Sequence, residues 1–436
     1  MAITTLTGTT GADTSLVGTT GSDTFSIKDY SKDVFIGAQA GADTATITGT
    51  VSSYTTRMGS GADTLTFSSG LETSFINGNG DNDTITVTGA LIGSTVEGGK
   101  GNDSLVNSST IATSLLQGRF GNDTITVAGT TTSSTVNGNE DDDTITLTGL
   151  VTGSKIYGGK AEDTITAAEV NSSLIRGNLG NDNLTLTGAL DSVTVNGNDG
   201  TDTIAISSAT VSNSSAYGGA GRDTINLTGA GAIYVSGDAA NDTISIGTGA
   251  NGNNTVTGGL GADSVTLTGT GKNNITGDGG NDTITGGGTG ANPISGGIGD
   301  DSLHLSAAGK VNISGGDGTD TITLAGTANV TVNGNAGTDI ITVGSGADSL
   351  NGGADNDTIT LAVDSLTSDD VIGGDLGTDT LAFNAEGAAL LDADFGQVTS
   401  VETITATYAL TGNESFTLGS KSDTAGITNI DLSGTT

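Results

Sequence analysis

Nineteen aspartates recur along the chain at nearly constant spacing, and each closes a glycine-rich turn. A carboxylate is a hard anionic oxygen donor, and glycine permits the positive backbone dihedral angles that turn carbonyl oxygens toward one point. Such oxygens suit Ca2+ better than Mg2+, which prefers octahedral sites that keep water. The predicted calcium ligands are Asp23, Asp43, Asp63, Asp83, Asp103, Asp123, Asp143, Asp163, Asp182, Asp202, Asp223, Asp242, Asp263, Asp282, Asp301, Asp320, Asp339, Asp357 and Asp379.

The segment that carries each aspartate is a repeat of about twenty residues. The spacing is 20 residues as far as Asp163 and lies between 18 and 22 beyond it. The copy from Gly78 to Val96, GNGDNDTITVTGALIGSTV, contains a glycine turn, an alternating strand, a second turn and a second short strand. A repeat of this length is too short for an independent domain and is typical of one coil of a stacked solenoid.

Two apolar columns predict how the coils stack. The residue two places after the aspartate is apolar in every coil, as at Ile85 and Ile125, and the residue seven places before it is aliphatic except at Thr56 and Ala216. Alternation around both columns turns one face of each strand inward. We predict an all-β, right-handed parallel β-solenoid, or β-roll, of about twenty coils with one calcium-binding edge.

The repeat fades near the C-terminus. Residues 1–383 are predicted to form the repetitive calcium-binding solenoid. Residues 384–436 lack the standard glycine turn and are predicted to form calcium-poor coils or a cap, with a candidate secretion signal.

Composition limits the partners of the chain. Twelve basic residues against 49 acidic ones give a net charge of -37, which repels nucleic acid, and no apolar run is long enough for a membrane span. Cysteine is absent, so disulfides and thiolate metal sites are excluded. One Ca2+ in each gap between coils, about eighteen in all, would nearly cancel the net charge. The alternative of ordinary Asp-Gly turns does not explain the number and spacing of the aspartates.

The turns resemble the nonapeptide GGxGxDxUx of the RTX (repeats-in-toxin) family, in which U is a large apolar residue. Gly98 to Val106 matches this pattern as GGKGNDSLV, and the resemblance extends over about residues 11–383. It implies a parallel β-roll that binds Ca2+ between turns. It also implies type I secretion without an N-terminal leader, folding in extracellular calcium, and a location outside the cell or on the surface of a Gram-negative-type bacterium.

The chain departs from this family pattern in two ways. An RTX coil has two such turns in 18 residues, whereas the opposite turn here, Thr88 to Gly93, has no aspartate. We therefore expect a single row of ions on one edge. Five coils replace the second glycine, which makes their sites less regular, although an aspartate there would add a ligand: Asp81, Asp141, Ala161, Ala240 and Asp355.

The sequence favours a structural function over catalysis. The one histidine, His304, lies in an outward column of Thr and Ser, and no cysteine nucleophile exists. Since a solenoid has open strand edges, we predict an extracellular rod that assembles with copies of itself into a surface layer or filament, with cell-surface polysaccharide as a second candidate partner. The alternative is an ice-binding or adhesive calcium-dependent module. An irregular turn edge, with Lys100, Phe120 and Glu140, argues against ice binding.

Overall fold

In a computed structural model the chain forms two compact units, Met1–Asp223 and Thr224–Thr436. In both units almost all regular structure is parallel β-strand. The described residues are 3–7, 14–28, 33–49, 51–208, 210–229, 231–247, 252–269, 271–287, 293–306, 309–361, 365–384, 390–406 and 417–431.

The first unit contains two parallel sheets and a row of short strands between them. The first sheet consists of the strands that follow each aspartate: Ile3–Thr7, Thr24–Lys28, Thr44–Thr48, Thr64–Phe67, Thr84–Val87, Ser104–Asn107, Thr124–Val127, Thr144–Leu147, Thr164–Ala167, Asn183–Leu186 and Thr203–Ile206. The second sheet consists of the strands that lead into the glycine turns: Thr14–Val17, Val34–Gly37, Thr55–Ser60, Phe75–Gly80, Thr95–Lys100, Leu115–Phe120, Thr135–Glu140, Lys155–Lys160, Leu174–Leu179, Thr194–Asp199 and Val211–Ala220. The two-residue strands are Val51–Ser52, Leu71–Glu72, Leu91–Ile92, Ile111–Ala112, Thr131–Thr132, Val151–Thr152, Val170–Asn171 and Leu190–Asp191.

The second unit repeats this plan with less regular coils. Its first sheet contains Thr224–Leu227, Thr243–Ile246, Ser264–Leu267, Thr283–Gly286, Ser302–Ser306, Thr321–Ala325, Ile340–Thr342, Thr358–Leu361, Thr380–Phe383, Thr403–Ala406 and Asn429–Asp431. Its second sheet contains Gly231–Ala239, Asn254–Leu260, Asn273–Gly279, Pro293–Ile298, Asn312–Asp317, Thr331–Ala336, Ser349–Ala354, Val371–Leu376 and Val398–Thr399. A 3-10 helix at Asp392–Gln397 and an α-helix at Ser420–Ala425 are also present.

The predicted all-β parallel solenoid is confirmed. Each strand pairs in parallel with the equivalent strand of the next coil, so that Ile85 lies beside Leu105 and Val96 beside Leu116. Both predicted apolar columns are buried, because the alternating pattern turns these side chains between the sheets. A third buried column, which the sequence analysis did not identify, runs along the two-residue strands and includes Leu91.

Strand pairing continues into the predicted C-terminal region. Thr403–Ala406 pairs with Thr380–Phe383, and Asn429–Asp431 pairs with Thr403–Ala406. The boundary between residues 383 and 384 and the secretion signal stay predictions, and residues 385–389, 407–416 and 432–436 lie outside the described residues. No helix in the described part of the chain has the length and apolar character needed to cross a membrane.

A row of buried serines holds the opposite turn of the first unit. The Oγ atom of Ser114 accepts a hydrogen bond from the backbone N–H of Ser94 at 3.1 Å, and the N–H of Ser114 donates to Ser134 Oγ at 3.1 Å. Ser114 Oγ also donates to the carbonyl oxygen of Ala112 at 2.7 Å. These serines therefore connect successive coils without charge.

The serine row gives a stability prediction. Ser114→Ala leaves the buried N–H of Ser94 without its acceptor, and we expect it to lower the free energy of unfolding by about 1–3 kcal/mol in calcium. The exposed Thr132→Ala variant serves as the control. The measurement is urea unfolding followed by circular dichroism, and equal midpoints for the two variants would show that the serine row contributes nothing.

Candidate metal-binding edge

All nineteen predicted aspartates lie at the glycine turns and are buried, with at most 2% of each side chain exposed. They form a continuous row within each unit, because one carboxylate oxygen of each aspartate accepts a hydrogen bond from the backbone N–H of the aspartate one coil earlier. In the first unit these bonds run from Asp23 to Asp223 at 2.6–2.8 Å. In the second unit they run from Asp242 to Asp379 at 2.7–2.8 Å. We call this feature the Asp edge.

The second carboxylate oxygen of these aspartates, Oδ2, does not accept the hydrogen bonds that join successive coils. Along most of the Asp edge the Oδ2 atom is buried and has no hydrogen-bond partner among the described residues. These aspartates are Asp43, Asp63, Asp83, Asp103, Asp123, Asp143, Asp163, Asp182, Asp202, Asp263, Asp282, Asp301, Asp320, Asp339, Asp357 and Asp379. A buried carboxylate oxygen without a donor is strongly unfavourable when charged, so it requires either a proton or a cation.

A glycine lies five residues before seventeen of the nineteen aspartates and leaves space beside this oxygen, whereas Ala38 and Met58 take that position before Asp43 and Asp63. A Cβ atom built on Gly78 would lie 2.2 Å from Asp83 Oδ2 and 2.5 Å from the carbonyl oxygen of Gly98, which belongs to the next coil. A Cβ on Gly277 would lie 2.1 Å from Asp282 Oδ2 and 2.5 Å from the Gly296 carbonyl oxygen. At Gly78 and Gly277 a side chain would fill the space on which a carboxylate and a carbonyl oxygen converge.

Burial raises the pKa of carboxyl groups along the Asp edge. Desolvation raises the pKa of Asp83 from 3.8 to about 8, against the lowering effect of the hydrogen bond from the Asp63 N–H, and the neighbouring carboxylates of Asp103 and Asp63 raise it further. Desolvation likewise raises the pKa of Asp143 and Asp163 to about 8. The row therefore resists carrying a full negative charge near neutral pH unless positive charge is supplied.

The donor chemistry of the Asp edge fits Ca2+. Carboxylate and carbonyl oxygens are the ligands this ion takes in proteins, at about 2.3–2.6 Å. Within the described residues no group of three or more His, Cys, Asp or Glu side chains comes together to hold a metal ion. Each site would therefore combine one aspartate with backbone carbonyl oxygens such as that of Gly98, as the glycine spacing predicted.

The five coils without the second glycine keep the turn conformation. Asp81 and Asp141 have φ angles of 70° and 71°, in the left-handed region that favours glycine. Their Oδ2 atoms accept hydrogen bonds from the backbone N–H groups of Gly61 and Gly121 at 2.8 and 2.9 Å. These two carboxylates thus join neighbouring turns, and an added role as metal ligands stays a prediction.

Two parts of the aspartate rows were not predicted from the sequence. Glu402 takes the position after Asp379, since its Oε2 atom accepts a hydrogen bond from the Asp379 N–H at 2.8 Å. On the opposite turn, Asp348 and Asp370 are also buried, and the Asp348 N–H donates to Asp370 Oδ1 at 2.8 Å. The segment GSGAD at residues 344–348 contained a signal for this second pair, because it has the glycine spacing of the main turns.

A scan against protein-family models identifies the turns. The model "RTX calcium-binding nonapeptide repeat (4 copies)" matches residues 209–230, 234–265, 267–288, 286–308 and 331–362. The chain carries RTX repeats. Within the matched segments, the aspartates and glycines of the RTX repeats belong to the Asp edge. The turn at residues 98–106 has the same pattern.

The matched repeats support an RTX-type calcium-binding repeat protein. They are calcium-binding repeats, they are typical of secreted proteins, and the RTX β-solenoid is typically a structural or binding element rather than a catalytic one. His304 is exposed on the first sheet of the second unit, between Thr285 and Thr323 of the neighbouring coils. A search of curated proteins gives no match to the chain.

Proposed function

We propose that the chain is an extracellular structural protein in which Ca2+ bound along the Asp edge makes the solenoid rigid. The observation that supports this most strongly is the row of buried, unpartnered Oδ2 atoms, most of them beside a glycine such as Gly78 that leaves room for an ion. The nineteen aspartates would act as ligands, together with backbone carbonyl oxygens. The ion would neutralise their charge and join successive coils.

An extracellular location follows from the same chemistry. Extracellular calcium modules bind with dissociation constants of about 10⁻⁴–10⁻³ M, which cytosolic calcium does not reach. A protein that depends on many such sites would stay unfolded until export. We therefore place the folded chain outside a Gram-negative-type bacterium, exported by a type I system.

Self-assembly is the second part of the proposal. Among the described residues, Ile3–Thr7 and Asn429–Asp431 are the outermost strands of the first sheet in their units, and pairing of such strands with another copy would extend the sheet. The second unit also exposes large apolar side chains three residues before its aspartates. Leu260, Ile298 and Leu376 are 69%, 66% and 73% exposed. Such side chains favour contacts between copies in a layer or filament.

The assembly proposal predicts a response to calcium. Protein dialysed against EGTA should form ordered layers or filaments when millimolar Ca2+ is added, whereas Mg2+ should have little effect. Light scattering would follow the growth and electron microscopy would record the order. Particles that stay monomeric at high protein concentration in calcium would exclude self-assembly, while leaving calcium binding at the Asp edge untouched.

A further inference from the structure

One position decides how much room each turn of the first unit leaves beside its aspartate. It lies five residues before the aspartate, and strand pairing places Ala38, Met58, Gly78 and Gly98 side by side there in successive coils. Gly78 and Gly98 do not have left-handed φ angles, so their backbone conformation does not itself require glycine. The close approach of the aspartate is what excludes a side chain in these two coils.

In the glycine coils the space beside the aspartate is too small for a methyl group. A Cβ atom built on Gly98 would lie 2.3 Å from Asp103 Oδ2, and one built on Gly118 would lie 1.9 Å from Asp123 Oδ2. Cβ atoms in proteins essentially never come within 3.0 Å of another heavy atom. A Ca2+ ion lies about 2.3–2.6 Å from its oxygen ligands, so a cation can take a position beside Oδ2 that a methyl group cannot.

Two coils carry a side chain at this position. Ala38 precedes Asp43 and Met58 precedes Asp63, and both side chains are fully buried. The Oδ2 atoms of Asp43 and Asp63 are buried without a hydrogen-bond partner among the described residues, as they are in the glycine coils. The carboxyl groups of the two kinds of coil are therefore alike, and the difference lies in the carbon atoms beside them.

The same part of the chain has larger apolar side chains in its core. Tyr54 lies where the next coil has Ser74, whose Oγ atom accepts a hydrogen bond from the Tyr54 N–H at 3.1 Å. Phe67 pairs with Val87 of the next coil. Tyr54 and Phe67 are both buried. The additional buried apolar area stabilises these coils in a way that does not depend on an ion.

We propose that the coils of Asp43 and Asp63 bind no Ca2+, and that Ala38 and Met58 are the residues that exclude it. The two side chains take the place that the ion has in the glycine coils, and the buried Oδ2 atom carries a proton instead. This inference rests on the proposed function and removes two aspartates from its nineteen candidate ligands. A continuous row of ions in the first unit then begins at Asp83.

Native mass spectrometry of the full, calcium-loaded chain tests the proposal, because it counts bound ions individually. Met58→Gly opens the space beside Asp63 and should hold one Ca2+ more than the unaltered chain. Ala38→Gly opens the space beside Asp43 and should also gain one ion, and the double variant should gain two. The control is Ala45→Gly, which removes a buried methyl group from the core column of the same coil and should leave the count unchanged.

The converse substitution is Gly78→Ala, which fills the space beside Asp83 and should lose one ion. An unchanged ion count in both Met58→Gly and Ala38→Gly would overturn the inference while leaving calcium binding at the Asp edge intact. An unaltered chain that holds no calcium would overturn the proposed function as well. Circular dichroism in calcium verifies that each variant is folded. If Met58→Gly does not fold, Ala38→Gly, which removes only a methyl group, decides the result.

Discussion

Asp83→Asn is expected to destabilise the protein in calcium and to stabilise it in EGTA. In the calcium-bound protein the variant lacks an anionic ligand, and we expect a loss of about 1–3 kcal/mol in the free energy of unfolding. Without calcium the same change removes a buried carboxyl group that must either take up a proton or stay charged. The asparagine Oδ1 atom can still accept the hydrogen bond from the Asp63 N–H, and its neutral amide nitrogen takes the place of the unpartnered Oδ2 atom.

The opposite effects of Asp83→Asn on stability in calcium and in EGTA distinguish a metal site from a row of aspartates that only accept hydrogen bonds. If the carboxylates only accepted backbone hydrogen bonds, Asp83→Asn would have the same small effect in both buffers. Asp191→Asn removes an equal charge from an exposed side chain, whose hydrogen bonds to Ser212 and Asn213 lie on the opposite turn, and it should change little in either buffer. Urea unfolding in calcium and in EGTA gives the free energy of unfolding of the unaltered protein, of Asp83→Asn and of Asp191→Asn. Destabilisation by Asp83→Asn in EGTA would contradict the account.

Removal of calcium is expected to unfold most of the chain at pH 8 but much less of it at pH 5. The aspartate pKa is near 3.8 in the unfolded chain, whereas burial raises the pKa of Asp83, Asp143 and Asp163 to about 8 in the folded one. Between about pH 4 and pH 8 the folded state thus holds protons that the unfolded state has lost. Since the unfolded state binds fewer protons, the stability of the metal-free protein falls as the pH rises through this range.

In calcium the stability of the folded protein should no longer fall as the pH rises. An ion at the Asp edge replaces the proton, so added Ca2+ should restore the β-sheet circular dichroism at pH 8, and its apparent affinity should fall as the pH is lowered and protons compete. The measurement is a pH series of far-ultraviolet spectra in EGTA and in millimolar Ca2+. Full β-sheet signal in EGTA at pH 8 would contradict the prediction, and so would a metal-free protein that becomes more stable as the pH rises.

The period of the sequence was sufficient to predict the fold. Residues such as Ile85 and Val96 recur once per coil, and stacking identical coils is the arrangement that buries each column on itself, as the structure confirms. The positions of the aspartates at one edge followed from the same period. Their assignment as ligands stays a prediction, although the buried and unpartnered Oδ2 atoms agree with it.

Other features depended on contacts that the repeat does not specify. Ser114 has the same side chain whether it only allows close packing or accepts a hydrogen bond from the next coil, so its role required the structure. Glu402 was missed because it lies 23 residues after Asp379 and has a longer side chain that reaches the same N–H group.

The most direct test of the Asp edge is diffraction from crystals grown in calcium, with anomalous data collected at a wavelength where Ca2+ scatters measurably. The account predicts anomalous peaks at the glycine turns, each beside an aspartate Oδ2 atom such as that of Asp83 and within ligand distance of a carbonyl oxygen from the next coil. An ordered row of aspartates without anomalous peaks beside it would contradict the claim that Ca2+ joins the coils.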